Sequence, residues 1–187
     1  MSSERYPPAG LWVRGRAFAL DYLPIAAYLS LIVVAGVVAS RMGQPVANRL
    51  FGGPLSGEAS GFLLITLPVG LYFALSEASP RRATWGKGRT GLQVTDLAGG
   101  RMSRARSLSR TALKFVPWEL AHACIWQISF AVDRSSPVYV VGFATVWLLV
   151  AANVVSLLAS PKRQTLYDRI AGTLVVSRSL PVRPSRG

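Results

Sequence analysis

The chain has 187 residues and a formal net charge of +13, yet only 16% of it is charged, 51% is hydrophobic, and its mean hydropathy is +0.36. A soluble domain is nearer a quarter charged, so an ordinary soluble globule is excluded and the basic charge serves either nucleic acid or the flanks of membrane segments. About 20 mostly apolar residues span a bilayer, and the four stretches of that kind in this chain decide for the membrane and against nucleic acid.

An N-terminal tail, residues 1–13, precedes the stretch RGRAFALD. The first predicted span covers 17–40, with Asp21 as its only charge. It is longer than the roughly 7–15-residue apolar region of a secretory signal, so no cleavable signal is expected. Residues 41–60, rich in Gly and Pro, read as a surface turn region. The second span covers 61–78 and ends near Glu77. In the central loop, 79–110, GLQVT alternates Leu92 and Val94 on one face and predicts a strand. DLAGG predicts a turn. Ser103 is placed to cap a basic helix, RARSLSRTALKF. Its Arg106, Arg110 and Lys114 recur at i, i+4 and i+8, a cationic stripe suited to anionic headgroups. The third span, 111–132, carries Lys114, Glu119 and His122, and the fourth, 137–159, carries no charge. Beyond it, RQTLYDRIAG predicts a short helix with a Gly stop. TLVVS predicts a strand that pairs with GLQVT, and residues 178–187 read as a disordered basic tail. An isolated two-stranded hairpin is marginal in water, so the pair must lean on the helices.

Basic residues alternate with these spans. Of the 21, eighteen lie in the two ends and between the second span and the head of the third, with Lys114 counted there, and only Arg41, Arg49 and Arg134 lie in the other two loops. The positive-inside rule then places both termini and the central loop in the cytoplasm of a multi-pass cell-membrane protein. The fold expected is all-α: a bundle of four transmembrane helices with a small cytoplasmic two-stranded β element.

The candidate sites are few. GKGRTG, residues 86–91, fits G-x-G-x-x-G literally, but the dinucleotide fingerprint needs a strand before it and a helix after it. It reads instead as a flexible basic surface loop. The single Cys124 gives neither a disulfide nor a metal cluster. No nucleophile, histidine and acid fall at catalytic spacing, so no enzyme, cofactor or metal is expected. Glu119 and His122 share a helix face, flanked by Trp118 and Trp126. They read either as an interfacial segment near headgroups or as a proton-handling pair.

Asp21 is the sharper case, because a charge inside a span is expensive and usually has a partner in the bundle interior. Arg14 is on the same face but two turns away, about 10 Å of rise. The expected partners are therefore Arg110 and Lys114. The alternatives are a helix-locking ion pair and an ion or proton site. Pro24, Pro68 and Pro117 each free a carbonyl one turn back, at Leu20, Leu64 and Leu113, and such carbonyls can coordinate cations in transporters. Asp168 follows Thr165 as in a capping box, or it meets the arginines at the head of the first span.

Three stretches taken together, RGRAFALD, TWGKGRTGLQVTDLAGGRMSRARSLSR and RQTLYDRIAGTLVV, resemble the RDD family, named for one arginine and two aspartates. By motif position these are Arg14, Asp21 and Asp168. The resemblance covers most of residues 14–177. It implies a multi-spanning, mostly bacterial inner-membrane protein, with transport, including cation–proton exchange, suggested for a family of largely unknown role.

The leading expectation is membrane transport of a small ion or solute by a homo-oligomer, coupled to a monovalent cation or proton. Asp21, Glu119 and His122 would be the ion or proton site, and Arg14, Arg110, Lys114 and Asp168 a charge network at the gate. The competing expectation is a non-transporting scaffold. There the Arg and Asp residues are a structural ion-pair network, and the basic loop meets anionic lipid.

Overall fold

A computed structural model describes residues 6–42 and 44–178. Residues 1–5 of the N-terminal tail, and the expected disordered tail from residue 179 on, lie outside the described residues. The described chain is mostly helical, with one two-stranded sheet. In order it forms α1 (Leu11–Met42), α2 (Gln44–Phe51), α3 (Pro54–Gly61), a π-helical turn (Phe62–Thr66), α4 (Leu67–Glu77), α5 (Trp85–Arg89), β1 (Leu92–Asp96), α6 (Arg104–Phe130), α7 (Pro137–Ala159), α8 (Leu166–Ile170) and β2 (Thr173–Ser177).

Among the described residues, three helical stretches are long and apolar enough to cross a membrane: Leu11–Val38, Pro54–Glu77 and Pro137–Ala159. Few of their side chains are buried within the chain, least of all in α7. Apolar surface of that extent left open to water would be an aggregation hazard, whereas lipid covers it without cost. The expected third span, 111–132, is helical as far as Phe130 as part of α6, which is not apolar enough to join this set. Its basic first turns and its Lys114, Glu119 and His122 are the reason.

Two boundaries move. Within residues 41–60, Gln44–Phe51 and Pro54–Gly61 are helical around a bend at Gly52 and Gly53, rather than one turn region, and the second apolar stretch begins at Pro54. Pro54 follows an extended Gly53 and opens α3, where its missing N–H is no loss. GKGRTG is not a flexible loop, because its first residues form the helical turn α5, capped by Thr84.

The chain divides into two compact units. The first comprises Met1–Leu23, Leu71–Leu113 and Ala152–Gly187. In it β1 and β2 pair antiparallel, with Val94 opposite Val175 and Asp96 opposite Thr173. Residues 7–9 extend this sheet along β2, where Ala9 N–H donates to the Val175 carbonyl at 2.9 Å and Ser177 N–H to the Pro7 carbonyl at 3.0 Å. The inward side chains of the strands meet Ala9, Ala17 and Met102 in a small apolar core. That contact with α1 supplies the support a bare hairpin lacks.

The second unit comprises Pro24–Gly70 and Lys114–Ala151. Gly57 and Gly61, one helical turn apart in α3, lie against the rings of Trp126 and His122, with room for no Cβ at either position. A G-x-x-x-G spacing lets α3 and α6 approach this closely. The carbonyl of Leu64, freed by Pro68, accepts the Tyr28 hydroxyl at 2.6 Å. It is therefore already spoken for and does not face an open cation position.

Candidate functional site

The first unit is built around a chain of buried charges. Arg110, on the first turns of α6, is 2% exposed, and Asp21, Glu77 and Asp168 are fully buried. Its guanidinium forks. Nε donates to Asp168 Oδ1 at 2.8 Å, and Nη1 donates to Glu77 Oε2 at 2.5 Å. Lys87 Nζ, on α5, meets the other Glu77 oxygen at 2.9 Å. Arg14, on α1, donates to Asp168 Oδ2 at 3.0 Å. The same guanidinium reaches the Arg163 carbonyl at 2.6 Å and the Ala9 carbonyl at 3.1 Å. Arg163 adopts a left-handed φ of 47°, which a side chain bears only where neighbours hold it. The series Arg14–Asp168–Arg110–Glu77–Lys87 thus ties α1, α8, α6, α4 and α5 together, cation against anion at every step.

Local chemistry positions each member. Thr165 and Asp168 form the reciprocal capping box of α8, so one carboxylate both starts its helix and closes two ion pairs. Thr173 Oγ1 donates to Asp168 Oδ1 at 3.2 Å. Burial alone would raise the Asp168 carboxyl, but Arg110 and Arg14, with Thr165, hold it below the usual carboxylate range. The contribution of Asp168 is therefore complete above its unfolded value of about 3.9 and is lost as pH falls through the lower folded one. Unfolding of the solubilised protein should show an acid limb that begins only below about pH 4. The same limb should be shallower in Asp168→Asn, and equal limbs in the two proteins would remove Asp168 from this role.

Asp21 stands differently. Its Oδ1 accepts the Tyr72 hydroxyl at 2.8 Å and the Gly86 N–H at 2.7 Å, and its Oδ2 accepts the Thr84 hydroxyl at 2.6 Å. The expected pairing with Arg110 is overturned. Arg110 is committed to Glu77 and Asp168, and uncharged donors from α4 and the α5 turn satisfy Asp21. Glu77 and Lys87 were missed by charge spacing. Their signal was an acid closing an apolar run, with a lysine in the following loop.

A family model for the RDD family matches residues 8–172. The chain belongs to the RDD family. No curated protein and no solved structure matches it. Family membership and the apolar helices together mark a membrane protein. Of the three positions that the RDD motif assigns, Arg14 and Asp168 meet directly, while Asp21 bonds to neither of them.

In the second unit of this RDD-family chain, Thr66 Oγ1 donates to Glu119 Oε1 at 2.5 Å and accepts Trp118 Nε1 at 3.1 Å. His122 lies between the rings of Trp118 and Trp126, at 5.9 and 6.4 Å between centres. Its buried Nδ1 has no hydrogen-bond partner among the described residues. Lys114 also belongs to this unit, with its ammonium 5.6 Å from the Phe115 ring centre. Among the described residues no group of His, Cys, Asp or Glu gathers that could hold a metal.

Proposed function

We propose that this RDD-family chain is a multi-pass cell-membrane protein, with α6 as a fourth span and both termini cytoplasmic, acting as a non-transporting, self-associating scaffold. Its Arg and Asp residues form a structural ion-pair network. The network holds a rigid basic module against the anionic headgroups of the bilayer. No catalytic step, cofactor or metal enters this reading.

The observation that carries it is the environment of Asp21. A transported cation or proton needs a carboxylate oxygen with a free position facing water. Here both oxygens are taken by protein donors, and the side chain is fully buried. The positive ends of those N–H and O–H dipoles point to where a cation would sit. Arg14, Arg110 and Lys87 are likewise answered by Asp168 and Glu77.

The test is flux into vesicles of phosphatidylcholine and phosphatidylglycerol loaded with a pH-sensitive dye. After a sodium or potassium pulse across a pH gradient, the wild-type protein should add nothing to the leak of empty vesicles. A pH-dependent flux that Asp21→Asn abolishes, with the protein still folded, overturns the scaffold reading.

Proton-coupled cation transport by a homo-oligomer is the second reading, favoured by the Thr66–Glu119 contact beside the unpartnered Nδ1 of His122. An ionisable side chain within a membrane segment is usually functional. Flux that survives Asp21→Asn and disappears in Glu119→Gln would select it.

A further inference from the structure

The first unit carries a groove of about 950 Å³ at the C-terminal end of α4, bounded by α5 and the outer ends of β1 and β2. Three arginines line it, Arg81, Arg89 and Arg178, all exposed. None of the three is in an ion pair with a carboxylate among the described residues, and no carboxylate lines the groove there. Its volume is at the upper end for a small-molecule site. The remaining wall mixes apolar and aromatic side chains with the uncharged polar Ser76, Ser79 and Gln93. Leu75, on the last turns of an apolar membrane-length helix, is 55% exposed, and Trp85 is 42% exposed.

The groove is preorganised by the knot around Asp21. The Tyr72 hydroxyl donates to Asp21 and accepts the Trp85 N–H at 3.0 Å. The Arg89 guanidinium lies 5.1 Å from the centre of the Trp85 ring, within cation–π range. Arg178 is fixed at the end of β2 by its N–H to the Gly91 carbonyl at 2.8 Å.

We infer that this groove binds one anionic phospholipid, with its phosphate among Arg81, Arg89 and Arg178 and the start of its acyl chains along Leu75 and Trp85. Guanidinium forks match phosphate oxygens in geometry as well as charge. Trp and Tyr belong at the level of the headgroups. A free phosphate would use the arginines but not the apolar wall that leads down the membrane-length helix, so the commitment is to lipid. The inference deepens the proposed contact with anionic headgroups and rests on it. It does not depend on whether the protein transports.

The test uses the full chain in dodecyl maltoside, with binding of dihexanoylphosphatidylglycerol followed by calorimetry. Dihexanoylphosphatidylcholine and inorganic phosphate are the comparison probes. Phosphatidylglycerol should bind saturably at one site, more weakly as salt rises, and at least tenfold more tightly than either comparison.

The Arg81→Gln, Arg89→Gln, Arg178→Gln triple variant should lose at least tenfold in affinity. A variant with the same charge change at exposed Arg101, Arg104 and Arg169 should keep wild-type affinity. Trp85→Leu tests the apolar wall and should weaken phosphatidylglycerol several-fold without affecting inorganic phosphate. Inorganic phosphate binding as tightly as the lipid would overturn the lipid assignment. Equal losses in the two arginine variants would reduce the site to general surface charge and overturn it as well. Flux in the vesicle experiment with this binding intact would defeat the scaffold reading alone, whereas no flux and no binding would defeat this inference alone.

Discussion

Arg110→Met should destabilise the first unit by about 3–5 kcal/mol, the range for removing one partner from a buried ion pair. Methionine replaces most of the aliphatic stem, so the loss is not chiefly a cavity. It arises because Glu77 Oε2 and Asp168 Oδ1 each lose a charged donor at a buried site. The remaining charges still balance, Arg14 with Asp168 and Lys87 with Glu77. The deficit is therefore in hydrogen bonds and placement rather than in net charge.

Arg110→Lys should recover only part of the loss. An ammonium is a single point that cannot donate to both carboxylates in the forked geometry of the guanidinium. It also leaves the Tyr167 ring, which the guanidinium faces at 5.1 Å. Exposed Arg106, one turn earlier on α6, is the control, and Arg106→Met should stay within about 0.5 kcal/mol of wild type. Chemical unfolding in micelles, followed by tryptophan fluorescence, measures all three. Wild-type stability in Arg110→Met would show that the network does not hold the unit together.

Much of this architecture is legible in the sequence because it follows from local rules. The alternation in GLQVT and the Gly stop before TLVVS pointed to the strands, and Gly91 and Gly172 at their starts take the left-handed φ values of 69° and 63° that non-glycine residues avoid. Thr165 and Asp168 announced a capping box at their spacing, and the box is there. The apolar runs of α1 and α7 are plain from composition.

What the sequence concealed depends on long-range packing. A search for the partner of Asp21 looks for a cation, yet its donors are a tyrosine, a threonine and a backbone N–H, none of which advertises itself by charge. Glu77 looked like the mere end of a span because its two cations, Lys87 and Arg110, lie in later segments. The helicity of α3 was masked by its glycines. They read as a turn, although Gly57 and Gly61 are needed to let aromatic rings of α6 approach.

Gly86→Ala is expected to have the other largest effect, again about 3–5 kcal/mol, as overpacking of one to three is added to the loss of donors to a buried carboxylate. A Cβ on Gly86 would stand 2.1 Å from the Ala17 carbonyl oxygen and 2.8 Å from the Asp21 nitrogen. Both obstacles are backbone atoms of α1, so no side-chain rotation relieves them. The α5 turn must retreat, and with it go the Gly86 N–H and Thr84 hydroxyl bonds to Asp21 at 2.7 and 2.6 Å. An alanine of negligible bulk thereby strips a buried carboxylate of its donors.

Gly88, two residues on in the same turn, has open space at its Cβ position. Gly88→Ala should be neutral, or stabilising by up to about 1 kcal/mol through helix propensity. The contrast gives the glycines of GKGRTG separate physical tasks. Gly86 allows close approach to α1, Gly91 takes a left-handed φ, and Gly88 is constrained by neither. A phosphate-binding loop would need its glycines for approach to the ligand, and here the first of them approaches the protein's own first helix. Hydrogen exchange of the Trp85–Arg89 amides measures the result, with fast exchange expected in Gly86→Ala and wild-type protection in Gly88→Ala. Equal protection in the two variants would mean that α5 is not anchored through Asp21.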